Sequence, residues 1–140
     1  MVILINNMRI FISYKYTDVP YSTQEKTTIK LIEKIRELGH EVFCNLENDN
    51  KYISEKWSAK DIMNECFDEL EKCDYYVAFI IDGYKIGGGM SIELGYAIKS
   101  KLPTLLLIPN KSKSISTKAV VDKVINYDNM HDLMIHLENN

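Results

Sequence analysis

Tyr75-Tyr76-Val77-Ala78-Phe79-Ile80-Ile81 is the most continuous apolar run in the chain. It is too short for a helix, has no polar alternation, and is rich in aromatic and β-branched side chains. Those properties fit a central strand covered on both faces. A strand of that kind belongs to a parallel sheet, whose connections are usually helical. The flanks supply such helices. Upstream, Ser58 with Asp61 marks a helix start, and Ile62, Met63, Cys66, Phe67 and Leu70 then share one face. Downstream, residues 82–89 form a glycine-rich loop and a helix runs from about Ser91 to Ser100. Residues 104–108 (TLLLI) are the next strand, directly after Pro103.

The alternation continues to both ends. Residues 9–14 (RIFISY) read as the first strand. A helix over residues 22–38 opens on a Ser22/Glu25 capping box and repeats Ile29, Ile32, Ile35 and Leu38 at three-residue steps. Gly39 stands where a helix C-cap is expected. Residues 40–44 (HEVFC) are the second strand, and residues 45–57 a polar connection. A Lys/Ser loop at 110–117 leads to a short helix, a fifth strand at 124–127 and a terminal helix near 130–137. There is no internal repeat and no linker. The pattern predicts one α/β domain over residues 1–140, a flavodoxin/Rossmann-like three-layer sandwich. Its five-stranded parallel sheet has the order 2-1-3-4-5. Residues 1–7 (MVILINN) lack the basic start and cleavage site of a signal peptide and read as an N-terminal extension.

Composition excludes several function classes. Lys+Arg number 17 against 20 Asp+Glu, a formal charge of −3, so no basic stripe marks a nucleic-acid binder. No apolar run approaches the ~18–20 residues that cross a bilayer, so no membrane partner is expected. Cys44, Cys66 and Cys73 lack CxxC spacing and cannot all pair within one chain, which reads as reduced thiols in a cytoplasmic protein. His40, His131 and His136 are scattered, so neither a metal nor a cofactor is expected.

A doubly wound sheet binds ligands beyond its strand C-termini, at the switch point between strands 1 and 3. Three loops leave that edge, at residues 13–16, 82–91 and 110–117. The middle one carries Gly87-Gly88-Gly89-Met90-Ser91 into a helix. Free N–H groups and the positive dipole end favour an anion such as phosphate there, with Ser91 capping the helix or donating its hydroxyl. A flexible glycine turn with an ordinary serine cap fits the same residues, and no Gly-Lys-Ser/Thr follows to make a P-loop. Glu93 reads as a first-turn residue, with two meanings. It is either an acid satisfied by the helix dipole, or a carboxylate beside an anion site, acting as nucleophile or oxocarbenium stabiliser at a sugar carbon. Trp57 reads as a packing anchor rather than a base-stacking platform. Tyr14, Tyr16 and Tyr21 follow strand 1, where they stack on a base or stand as a solvent lid.

Gly89-Met90-Ser91-Ile92-Glu93-Leu94-Gly95-Tyr96-Ala97-Ile98, then Lys101-Leu102-Pro103 and an apolar strand, resembles the signature of the nucleoside 2-deoxyribosyltransferase superfamily. That superfamily includes the nucleoside 5′-monophosphate N-glycosidases. Glu71-Lys72-Cys73-Asp74-Tyr75-Tyr76-Val77-Ala78 is similar to its helix, small residue–Asp, strand segment, and the resemblance covers about residues 8–127. It implies that Glu93 attacks C1′ of the (deoxy)ribose and displaces the base. It implies that Gly88, Gly89 and Ser91, in the loop with Gly87 and Met90, hold a 5′-phosphate. Ser116 and Thr117 match a phosphate-binding serine that the family contributes from a neighbouring subunit, which implies a homodimer or higher homo-oligomer with a shared site.

The chain departs from the pattern twice. Phe11 stands where the family has a tyrosine, which leaves Tyr14 or Tyr16, beside Ser13, to supply a hydroxyl. Cys66 stands where the family has an aspartate that assists base protonation or orients the glutamate. Glu65 and Asp82 are the substitutes, Asp82 being the better placed at a strand C-terminus. Phe11-Ile12-Ser13-Tyr14 with Gly39-His40-Glu41-Val42-Phe43 is also similar to the opening of TIR domains, although the TIR run of Ser/Cys and Trp before the glutamate is absent. The expectation is an enzyme that cleaves or transfers the N-glycosidic bond of a (deoxy)nucleoside or nucleoside 5′-monophosphate. Glu93, Asp82 and Tyr14 are its expected catalytic residues. A TIR-like NAD hydrolase or cyclase, or a nucleotide-sensing module without turnover, are the alternatives.

Overall fold

Five parallel strands form one sheet in the computed structural model, which describes residues 7–139. They are β1 (Arg9–Ser13), β2 (Glu41–Phe43), β3 (Tyr75–Phe79), β4 (Thr104–Pro109) and β5 (Lys123–Tyr127). Their order is β2-β1-β3-β4-β5, as the alternating pattern predicts. All five residues of β3 are buried, since it pairs with β1 through Ile12↔Val77 and with β4 through Val77↔Leu105. Side-chain alternation then builds two cores. Ile12, Val77 and Leu107 pack with α2 (Thr28–Glu37) and α7 (Met130–Glu138). Phe11, Tyr76, Ala78 and Leu106 pack with α4 (Ala59–Lys72) and α5 (Gly88–Lys99).

Several local signals act as read. Ser58 caps α4 by accepting from the Asp61 N–H at 3.1 Å. Gly39 ends α2 with a φ of +99°, a backbone that glycine adopts at no steric cost. Other boundaries differ. The helix expected over residues 22–38 is two, α1 (Tyr21–Lys26) and α2, parted at Thr27 with φ −127° and ψ −81°. The Thr27 hydroxyl donates to the Thr23 carbonyl at 2.6 Å, the backbone competition by which threonine bends helices. The Ser22/Glu25 capping box does not form, because the helix is capped two residues earlier, at Pro20. The buried residues of α2 are Thr28, Leu31, Ile32, Lys34 and Ile35, and the expected Ile29 and Leu38 pack partly buried against the same core, with Leu31 added to the face.

The polar connection over residues 45–57 is ordered as a 3-10 turn at Asn45–Asn48 followed by α3 (Asp49–Ser54). At its end Lys56 takes a φ of +53° and the Trp57 N–H returns to the Tyr52 carbonyl at 2.9 Å. The glycine helix α5 begins at Gly88, not near Ser91, with Gly87 as its cap. The Lys/Ser loop runs into α6 (Ile115–Val120). The reading of an N-terminal extension falls, apart from Asn7, outside the described residues. No helix among the described residues is long and apolar enough to cross a membrane.

One hydrogen bond ties the sheet to the loop that carries the glycines. The Tyr127 hydroxyl, buried at the end of β5, donates to the Ile80 carbonyl at 2.5 Å, just beyond β3. Tyr127→Phe leaves that carbonyl without its donor in an apolar setting, which costs roughly 1–3 kcal/mol. The urea midpoint is expected to fall by the corresponding amount with an unchanged slope; an unchanged midpoint would show that the bond contributes nothing.

Candidate active site

The start of α5 meets the carboxyl ends of β1 and β3, and there the glutamate of the helix is placed. Because α5 begins at Gly88, Glu93 lies in its second turn and not its first. It is buried, 6% exposed, and faces inward. Its Oε1 accepts from the Ser13 hydroxyl of β1 at 2.5 Å, and the Cys66 thiol of α4 hydrogen-bonds to the same carboxylate. Cys66 Sγ in turn accepts from Asn45 Nδ2 at 3.4 Å. The Tyr76 hydroxyl donates to the Met90 carbonyl at 3.3 Å and fixes the first turn of α5 to the sheet.

These contacts set the protonation states. Burial pushes the Glu93 carboxyl above the usual carboxylate range, while the Ser13 and Cys66 hydrogen bonds pull it back only in part. Burial, then proximity to Glu93, holds Cys66 in its thiol form, so it acts as a neutral donor. Burial likewise keeps Tyr14 a phenol.

Glu93 forms part of the wall of a cavity of about 710 Å³. Tyr14, Lys15 and Tyr16 bound it from the loop after β1, Gly87–Met90 from the head of α5, and Ile62, Met63 and Cys66 from α4. The connection after β2 closes it with Asn45, Asp49, Tyr52, Ile53 and Trp57. At the head of α5 the Ser91 N–H reaches the Gly87 carbonyl at 3.1 Å, which leaves the N–H groups of Gly88, Gly89 and Met90 as the orphan donors of the helix. A Cβ on Gly87 would sit 3.7 Å from Lys15 Cγ and 3.8 Å from its Nζ, so an ammonium lies over this turn. Free donors, a helix dipole and a lysine converge on one end of the cavity, the physical make-up of an anion subsite.

The description nucleoside 2-deoxyribosyltransferase belongs to the family model that matches residues 18–134, most of the chain and all of this cavity except the loop residues before 18. The chain belongs to that family. A member of it is an enzyme of glycosyl hydrolysis or transfer, as the helix motif implied. The fold is shared with the CMP N-glycosidase BcmB of Clostridium botulinum, at 23% identity and a TM-score of 0.65 over 94% of this chain and 99% of that one. A 3-dehydroquinate dehydratase-like protein from Bifidobacterium longum aligns at 11% identity and a TM-score of 0.49 over 96% and 94%. No curated protein matches the chain by sequence.

In this deoxyribosyltransferase-family chain the fold brings Glu93, Ser13, Tyr14, Tyr16, Gly87, Gly88, Gly89 and Met90 together. Five other candidates lie elsewhere. Phe11 points to the same side of the sheet as Ser13 but sits roughly 7 Å deeper, stacked between Phe43 and Tyr76. Asp82 is exposed on the turn beyond β3, stands near Tyr127 and does not line the cavity. Ser91 is exposed and donates to the Gly87 carbonyl at 3.2 Å, because it lies inside the helix and not at its cap. Ser116 is exposed on α6, and Thr117 is buried there against the Ser114 hydroxyl at 2.8 Å. Neither lines the cavity of its own chain. Glu65, the other substitute for the aspartate, is taken by the Tyr52 hydroxyl and by Lys51 at 3.4 Å.

Lys15 and Asp49 escaped the sequence reading. A lone charge on a loop carries no periodicity, and Lys15 becomes informative only once Gly87 is placed beside it. Trp57 does pack, on Tyr52 at 5.0 Å between ring centres, and it lines the cavity as well.

The raised Glu93 carboxyl has a stability consequence. The folded chain holds this proton more tightly than the unfolded chain, so stability is lost as pH rises from the ordinary glutamate range through the raised folded value. Glu93→Gln keeps the shape and the acceptor for Ser13 without the charge. It is expected to melt higher than wild type at pH 8, with the gap closing towards about pH 4. A gap independent of pH would contradict a raised carboxyl.

Proposed function

We propose that the protein breaks the N-glycosidic bond of a nucleoside 5′-monophosphate, with Glu93 as the group that meets C1′. The observation that carries this reading is one cavity holding both a buried, doubly hydrogen-bonded carboxylate and, at its end, an anion subsite of Lys15 and the Gly88–Met90 turn. The phosphate sits on that subsite and the sugar spans the gap to Glu93. The ionised carboxylate bonds to C1′ as the C1′–N bond breaks, and the base departs with the bonding pair and takes up a proton. Water then opens the glycosyl ester, or a second base takes the sugar in a transfer. Ser13 aims the carboxylate, and Tyr14 stands by as a neutral hydroxyl donor.

The resemblance to shared-site enzymes extends the proposal to a homo-oligomer in which Ser116 and Thr117 reach the cavity of a second copy. Ile115, 85% exposed beside Ser116, and Val120 offer apolar surface for such a contact. The shared fold of the CMP N-glycosidase supports a nucleotide as the class of substrate.

Chromatography of the purified protein with nucleosides and their 5′-monophosphates tests the reaction. Free base is expected from monophosphates, and Glu93→Gln is expected to lower its release by roughly a thousandfold or more while nucleotide binding persists. Turnover at the wild-type rate in Glu93→Gln would remove Glu93 from the chemistry. Lys15→Ala removes one charge-assisted contact to phosphate, worth about 1.5–3 kcal/mol, so monophosphate affinity should fall roughly 10- to 150-fold with nucleoside affinity unchanged. Equal wild-type affinity for a nucleoside and its monophosphate would eliminate the anion subsite.

A further inference from the structure

With the phosphate on Lys15 and C1′ at Glu93, the departing base is left with the part of the cavity walled by the connection after β2. Two acceptors stand on that wall, Asn45 and Asp49, while its Tyr52 hydroxyl and Trp57 indole N–H are spent on Glu65 and Glu55. Asn45 spends an amide N–H on Cys66 Sγ at 3.4 Å, which leaves its Oδ1 as an acceptor. Asp49, half-buried at the start of α3, is the one carboxylate besides Glu93 among the described residues that line the cavity. Its Oδ2 takes a long bond of 3.5 Å from the Tyr16 hydroxyl, and no described residue donates to Oδ1. Apolar Ile53, Ile62 and Met63 add no donor, and the exposed Lys56 lines the cavity from the end of the same connection.

We infer that Asp49, with Asn45 Oδ1, reads the leaving base and selects one that presents an exocyclic amino group over its oxo counterpart. The inference rests on the nucleoside-monophosphate reading above. A carboxylate meets an amino group as donor to acceptor, whereas a carbonyl at the same place sets two acceptors against each other and leaves a desolvated charge without a partner. Sites built to hydrogen-bond a substrate group discriminate strongly against the analogue that lacks it. The relevant pairs are cytosine against uracil and adenine against hypoxanthine, which exchange only this group and the adjoining proton.

The test is kcat/KM for CMP, UMP, AMP and IMP with wild type and Asp49→Asn. Wild type is expected to favour the amino member of at least one pair by about tenfold or more, the worth of a hydrogen bond to a charged group. Asp49→Asn, whose amide both donates and accepts, should bring that ratio towards one, by losing rate on the amino substrate and gaining it on the oxo substrate. A wild-type preference for the oxo members, or a ratio unchanged in Asp49→Asn, overturns the inference and leaves the reaction class standing. No base from any of the four nucleotides overturns both. Should Asp49→Asn fail to fold, inhibition of wild type by free cytosine against free uracil decides the matter, and equal inhibition overturns the assignment to Asp49.

Discussion

The hydrogen bond from Ser13 to Glu93 joins the end of the first strand to the second turn of α5, and the carboxyl edge is organised around it. A carboxylate taken out of water is costly unless donors surround it. Ser13 and the Cys66 thiol are those donors, and they come from β1 and α4, elements far apart in the chain. Their convergence depends on where α5 starts. Three consecutive glycines let the helix begin at Gly88 with no side chain filling the cavity mouth, and its second turn carries Glu93 inward. A helix starting at Ser91 would have put the same carboxylate in the first turn and turned the glycines into a plain loop.

Cys66 gives this chain its own electrostatic balance. The family resemblance sets an aspartate at that position, and a second carboxylate beside Glu93 would raise the Glu93 carboxyl further by like-charge repulsion. A thiol has the opposite effect. It stays neutral because of its own burial, receives the Asn45 amide proton and hydrogen-bonds to Glu93, so the relay Asn45–Cys66–Glu93 points donors at the carboxylate throughout. The departure from the family pattern thus favours the ionised form of the glutamate over what a second carboxylate there would allow. It also removes a proton source for the leaving base, and on the proposed reading that shifts weight onto Tyr14.

What was legible in the sequence follows from the range of each signal. The run over residues 75–81 shows its burial on both faces directly, and with the helix signals on each side it dictates a parallel sheet of the observed order. Gly39 and Ser58 act through contacts three or four residues away and were readable for that reason. Glu93 was legible because its motif is local. The break at Thr27 was not, since it depends on a threonine hydroxyl winning a carbonyl from the helix ladder. Nor was α3, whose six residues are too few to show a period and of which only Tyr52 is buried. Asp82 shows the limit of topology as a guide: the end of a strand is the right edge of the sheet, yet the turn beyond β3 leaves Asp82 exposed beside Tyr127 of β5 and outside the cavity lining.

The site therefore divides between two kinds of scaffold. Glu93, Ser13 and the glycine turn are fixed by the central sheet and by a helix pinned to it through Tyr76 and packed on a buried core. The wall that carries Asp49 and Trp57 is held differently, by side-chain pairs at its outer edge: Arg36 with Glu47 at 2.6 Å, and Tyr52 and Lys51 with Glu65. Partly exposed single ion pairs such as Lys51–Glu65 contribute little to stability, whereas the two-pronged Arg36–Glu47 pair and the buried Tyr52 are the firmer anchors of this wall. On the proposed reading, chemistry sits on the first half and base recognition on the second, so residues 45–57 can vary without displacing the carboxylate and selectivity for the base is separable from the reaction at C1′.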